Sequence, residues 1–186
     1  MRRRIARLRA LRYGAASILV AAAAAALSAQ APESLRIVPV VHENEVSVSF
    51  ELNDAFTDDV KGAIASGLRT TFTYDVDLRM SVAAWFNRTI ASVTVTASDQ
   101  YDNLTRRHNM TRLVDGRVVD TLTTDDEAVV RTWLTTVSRM PLCKTSKLDA
   151  NRDYYVQISA RGRPNRGSLL GWVSAVRGEA KFTFVQ

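Results

Sequence analysis

Residues 71–80 read Thr-Phe-Thr-Tyr-Asp-Val-Asp-Leu-Arg-Met. Phe72, Tyr74, Val76, Leu78 and Met80 alternate with Thr71, Thr73, Asp75, Asp77 and Arg79. Successive side chains of a strand point to opposite faces, so this pattern predicts a strand with one buried and one wet side. One-sided strands belong to antiparallel sheets; parallel strands are covered on both faces and read as unbroken apolar runs.

The same period recurs on both sides of this stretch. Val46, Val48, Phe50 and Leu52 alternate with Ser47, Ser49 and Glu51, and Tyr154, Val156, Ile158 and Ala160 with Tyr155, Gln157, Ser159 and Arg161. Ala91, Val93, Val95 and Ala97 repeat it more weakly, as do Ala180, Phe182 and Phe184. Residues 36–41 open the sheet, and Pro39 assigns them to an edge because proline lacks the amide a central strand must donate. Asp115-Gly116 lies between two strand-like runs and predicts a tight hairpin, since glycine accepts positive φ. Tyr101-Asp102-Asn103 predicts the link from a strand at 90–98 to one at 104–113.

Two segments carry helical spacing instead. In 124–140, Val129, Val130, Trp133, Leu134 and Val137 share a face. Thr124 and Glu127 have the spacing of a capping box, and Pro141 marks the stop. A second helix spans about 54–66, with Phe56, Val60, Ala63 and Ile64 inward and Gly67 as its C-terminal cap. Residues 161–178 begin as a loop rich in Arg, Gly and Pro, then turn apolar at Leu169, Leu170, Trp172 and Val173. Regular βαβ units are absent. The expected fold is mainly β (α+β), a twisted antiparallel sheet or two-layer β-sandwich with two packed helices.

The N-terminus differs from everything after it. Six arginines (Arg2, Arg3, Arg4, Arg7, Arg9, Arg12) precede an apolar run, Ala15–Leu27, and then the small residues Ser28, Ala29 and Ala31. That order is a secretory signal: positive charge holds the end inside while the apolar run enters the channel. Residues 1–31 are expected to be the signal peptide, and 32–186 a single β-rich domain. An uncleaved anchor in the inner membrane is the alternative, although the run falls short of the roughly 20 apolar residues of a spanning helix. No Asp or Glu occurs before residue 32, so the remainder holds 19 basic and 19 acidic residues and is formally neutral. The overall charge of +6 therefore belongs to the signal. A nucleic-acid binder keeps its basic excess on the folded domain, so nucleic acid is not an expected partner. Heavy use of Arg and Ala points to a bacterium. The expected compartment is the periplasm or the exterior. Cys143 is the sole cysteine, which excludes an internal disulfide or a cysteine-based metal cluster.

Chemistry-bearing motifs are sparse. His42 and His108 are the two histidines, and neither has ligand spacing, so no metal is expected. No G-x-S-x-G elbow and no cofactor motif is present, and no cofactor is expected. Asp58-Asp59 and Asp125-Asp126 sit where helix N-termini attract carboxylates for capping alone. Arg161-Gly162-Arg163-Pro164 has the core of a minor-groove hook, but the neutral domain argues for a solvated loop. Three Asn-x-Thr sequons, at Asn87, Asn103 and Asn109, carry no meaning in a bacterial chain. The stretch 101–112 mixes aromatic and basic residues. It reads either as a binding strand presenting Tyr101, Asp102, Thr105, Arg106, Arg107 and Arg112, or as an edge strand whose charges prevent aggregation.

Tyr101-Asp102-Asn103-Leu104-Thr105-Arg106-Arg107 resembles the Y-D-x-L-T-R-Q-Y segment of an uncharacterised bacterial family, domain of unknown function 4390. Gly67-Leu68-Arg69-Thr70-Thr71-Phe72, followed by Tyr74, resembles its G-I-x-L-x-F-x-Y strand, and Trp85 stands where its tryptophan loop would. The capped helix at 124–139 and the strand at 154–161 follow in order. Arg107-His108 departs from the family's Gln-Tyr, and the C-terminal tryptophan region aligns poorly. The resemblance implies an exported β-rich domain and brings no activity, substrate or site. It also implies an accessory role beside an envelope sensor kinase. The leading expectation is a non-enzymatic binding or accessory module that contacts an envelope or membrane protein, a lipid or an envelope polymer. The alternatives are a small hydrolase with a scattered His, Asp and Ser or Thr site, and a structural component of envelope assembly.

Overall fold

A computed structural model describes residues 34–82, 87–164 and 173–185, all within the unit Pro32–Gln186. Among these residues nine strands and two α-helices succeed one another: β1 (Leu35–His42), β2 (Glu45–Leu52), α1 (Asp58–Ala65), β3 (Thr70–Met80), β4 (Arg88–Asp102), β5 (Arg107–Val114), β6 (Arg117–Thr124), α2 (Glu127–Thr135), β7 (Thr136–Lys144), β8 (Arg152–Pro164) and β9 (Val173–Phe184). They form two open antiparallel sheets, β1-β2-β7 and β6-β5-β4-β3-β8-β9. The mainly β, α+β architecture expected from the alternation is the one observed. No helix among the described residues is long and apolar enough to cross a membrane. The expected signal at 1–31, Trp85 and the apolar residues Leu169, Leu170 and Trp172 lie outside the described residues.

The deciding stretch is the spine of the larger sheet. Phe72, Tyr74, Val76 and Leu78 are buried, and their alternate neighbours are half-exposed. Full burial of each such apolar side chain contributes about 1.5–3 kcal/mol. The wet face carries polar ladders instead: Ser92 Oγ donates to Asp77, Thr94 Oγ1 to Asp75, and Arg161 pairs with Asp75. The inner face is covered in two parts. Val46, Val48, Phe50 and Leu52 of β2 cover one, with the Phe50 and Tyr74 rings 4.9 Å apart. Val60, Ala63 and Ile64 of α1 and Val130 and Leu134 of α2 cover the other. β1 packs on β9 at Gly178, where a Cβ would stand 3.1 Å from both Leu35 and Ile37 side chains.

Asp115-Gly116 forms the expected two-residue hairpin, with φ of 50° and 76°, and Pro39 sits on an edge strand. Gly67, at φ 77°, closes α1 by a paired motif. Its amide donates to the Ile64 carbonyl and that of Leu68 to Ala63.

Four expectations are corrected. First, the helix at 124–140 is only Glu127–Thr135. Asp126, not Thr124, is its N-cap and accepts from the Ala128 amide at 2.8 Å, while the Thr124 hydroxyl accepts from the Asp126 amide, so no capping box forms. Second, the chain passes directly from α2 into β7, which runs through Pro141. The helix can stop there because the sheet takes its last carbonyls. Tyr74 donates to Leu134 O at 2.5 Å, and Arg112 to Trp133 O at 2.7 Å and Thr136 O at 3.2 Å. Third, Arg161–Pro164 is no loop. It continues β8 against β3, and β9 starts at Val173 rather than near 180. Fourth, β4 extends to Asp102, and β5 lies between β4 and β6, so the edge position considered for 101–112 belongs to β6.

Candidate functional site

The alternation of β4 continues past Ala97 to Asp99 and Tyr101, which face inward like Val95. A carboxylate at such a position must find a partner, because burying an isolated charge is costly. Register supplies one. Tyr101 stands opposite His108 on β5, and Asp99 opposite Met110. Asp99 Oδ2 lies 2.9 Å from His108 Nδ1, and the Tyr101 ring is 4.7 Å from the imidazole. Asp99 is fully buried, and its Oδ1 has no hydrogen-bond partner among the described residues. Burial pushes the Asp99 carboxyl above the usual range, and the bond to His108 pulls it partly back.

With Nδ1 engaged by Asp99, the imidazole keeps Nε2 as its second hydrogen-bonding atom. His108 lines a cleft of about 330 Å³ between α1, the start of α2 and the β4–β5 turn. Phe56, Ile64, Ala65 and Tyr101 supply its apolar surface. Lys61 on α1 and Arg106 in the turn bring positive charge, while Asp125 and Glu127 at the start of α2 bring negative charge. The turn is held by Asp102, whose Oδ1 accepts from the amides of Leu104 at 2.8 Å and Thr105 at 3.3 Å. The Leu104 amide, followed by the Thr105 groups, holds the Asp102 carboxyl below the usual range. Arg106 takes a left-handed conformation, φ 55°, where the turn rejoins β5.

The residues of the basic-aromatic stretch therefore separate. Tyr101 and Arg106 line the cleft. Asp102 and Thr105 build the turn that carries Arg106. Arg107 is exposed and precedes His108, so it points to the opposite face of β5. Arg112 lies farther along β5, its guanidinium 4.4 Å over the Trp133 ring and bonded to the end of α2, where burial draws its pKa down. There it lines a separate groove of about 430 Å³ with Thr132, Thr136 and Ser138.

Asp99, Phe56 and Lys61 belong to the site although no sequence motif marks them. Asp99 had a visible signal: it occupies the apolar phase of an alternating strand. His42 lies at the exposed end of β1 beside Glu43 and is not part of the cleft. Cys143 is buried in β7, and burial raises its thiol pKa. Among the described residues no group of three or more His, Cys, Asp or Glu side chains is placed to hold a metal ion.

No curated protein and no solved structure matches the chain. The model of a family described as a domain of unknown function, DUF4390, matches residues 29–166. That span contains β1 to β8, both helices and every residue of the cleft, and it bears out the resemblance carried by the Tyr101–Arg107 segment. The chain is a member of the DUF4390 family.

Proposed function

We propose that this chain is a non-enzymatic binding or accessory module of the bacterial envelope, exported to the periplasm by residues 1–31, and that it receives an envelope or membrane protein at the cleft between α1 and α2. The observation that carries this reading is the composition of the cleft. Apolar side chains from α1 and β4 are rimmed by charges of both signs, and His108 is fixed among them by a buried carboxylate. Ligand sites are concave, mostly apolar and equipped with a few placed polar groups. A lining that combines Lys61 and Arg106 with Asp125 and Glu127 suits a peptide segment carrying both charges. The arginine-rich, acid-free N-terminus supports export. The family resemblance supports an accessory role beside a sensor kinase.

The test is a photoreactive residue placed at Ala65 on the cleft wall, with Lys181 on the far face of β9 as the control position. Crosslinking in living cells is expected to capture an envelope protein from Ala65 alone, and His108→Gln is expected to remove that product. Equal capture from both positions, or none from Ala65 while established envelope complexes are trapped, overturns the reading.

A second reading is favoured by one observation. The Asp99–His108 pair orients an imidazole as a hydrolase orients its general base. Among the described residues that line the cleft none is Ser, Thr or Cys, so the nucleophile would have to be water. Hydrolysis of an ester or peptide panel that disappears in His108→Gln would put this reading first.

A further inference from the structure

Open sheets have edges, and an unpaired edge recruits other strands unless something blunts it. Among the described residues the two sheets end in four edge strands: β1, β7, β6 and β9. β1 carries Pro39 at its centre. β7 carries Pro141, a left-handed Arg139 and two irregularities in its pairing with β2. β9 alternates Arg177, Glu179 and Lys181 along its exposed side. These are recognised ways of refusing a partner.

β6 has far less protection. Its sequence, Arg-Val-Val-Asp-Thr-Leu-Thr-Thr, contains no proline and no lysine, and five of its eight residues are β-branched. Val118, Val119 and Leu122 are 61%, 57% and 41% exposed. The one irregularity is an extra residue at Val119: Leu113 pairs with Val118 and Arg112 with Asp120. Beyond it, Asp120–Thr124 pair regularly with β5 and turn a straight edge outward.

We propose that β6 is a self-association edge, pairing antiparallel with β6 of a second copy so that Leu122 lies opposite its own counterpart on a two-fold axis. This register is the self-complementary one. It sets Thr121 opposite Thr123 and Asp120 opposite Thr124, joins the two exposed leucines, and opposes no like charges. Threonine pairs and apolar pairs across strands are favourable, whereas a register placing Asp120 against itself is not. The two-fold axis runs perpendicular to the sheet, so the six-stranded sheets join edge to edge with both helix-covered faces on one side. Because α2 follows β6 directly, the two clefts then open on the same face of the assembly.

The test is the mass of the full protein in solution, read by light scattering over a range of micromolar concentrations. A concentration-dependent dimer is expected. Leu122→Lys and Thr121→Pro should each leave a monomer with unchanged circular dichroism, and Val40→Lys on the blunted β1 edge should leave the dimer intact. Should the lysine or proline variants fail to fold, Leu122→Cys in a Cys143→Ala background supplies a second measurement. Directly opposed positions have Cβ atoms within about 5.5 Å, so mild oxidation should give a covalent dimer from Leu122→Cys and little from Val118→Cys. A wild-type protein that stays monomeric, a dimer that survives Leu122→Lys in folded protein, or equal crosslinking from both cysteines overturns the proposal.

Discussion

The two helices flank the same cleft, yet they end by different means. α1 stops where its own sequence says it should: Gly67 takes a positive φ, and two backbone bonds close the last turn. α2 has no glycine and no local stop. Its final carbonyls are taken by Tyr74 and Arg112, which are 60 and 21–24 residues away in the chain. The first ending is written within a few residues. The second exists only once the sheet has formed. A local cap can shape a helix early in folding, whereas a borrowed cap ties the end of α2 to the position of β3 and β5.

Substitutions at these ends should separate the two modes. The largest effect is expected from Arg112→Met, which removes two charge-assisted bonds and the stacking on Trp133. Leaving those carbonyls without donors should cost about 3 kcal/mol in urea unfolding. A loss under about 1 kcal/mol would mean that α2 does not depend on its borrowed cap. Tyr74→Phe leaves Leu134 O unpaired in the core and should cost about 2 kcal/mol, measured in the same way. Gly67→Ala must hold a side chain in the left-handed region, with Asn103 Nδ2 3.1 Å from the new Cβ. Its expected cost is about 1.5 kcal/mol. The helix starts, by contrast, are both local. Thr57 accepts from the Val60 amide and Asp126 from the Ala128 amide, so Thr57→Ala and Asp126→Ala should each cost about 1 kcal/mol.

The smallest effect concerns the group behind the cleft. Burial raises the folded pKa of Asp99 above its unfolded value. Between the two values the folded state holds more protons than the unfolded state, so this contribution to stability falls as pH rises through that window. Denaturant titrations just above the usual carboxylate range should show the fall in the native protein and its absence in Asp99→Asn. A steeper fall in the variant would show that Asp99 ionises more readily after folding, not less.

Sequence and structure agree where period two is uninterrupted, as in β2, β3 and β8, because alternation is a property of the strand itself. They part at β7. Its buried residues Val137, Met140 and Cys143 are spaced by three, since irregular pairing with β2 and the left-handed Arg139 spoil the alternation. That spacing continues the helical pattern of α2 and disguises a strand as the end of a helix. The cleft shows a similar division. Tyr101 and Arg106 were legible in a distinctive segment. Lys61, Phe56 and Glu127 join them only because α1 and α2 dock beside that segment. Asp99 was legible in principle, as a charge in the apolar phase of β4.

The family match stops at residue 166, but β9 begins at Val173 and pairs with β8 along nearly its whole length. A chain shortened to the recurrent span would keep the cleft and lose the strand that closes β8. Residues 152–162 of β8 would become an open edge, and Leu35 and Ile37 would lose the surface at Gly178 on which they rest. The boundary marked by recurrence among relatives and the boundary marked by hydrogen bonds are therefore different. The unit that keeps every strand of the larger sheet paired as observed is the longer one.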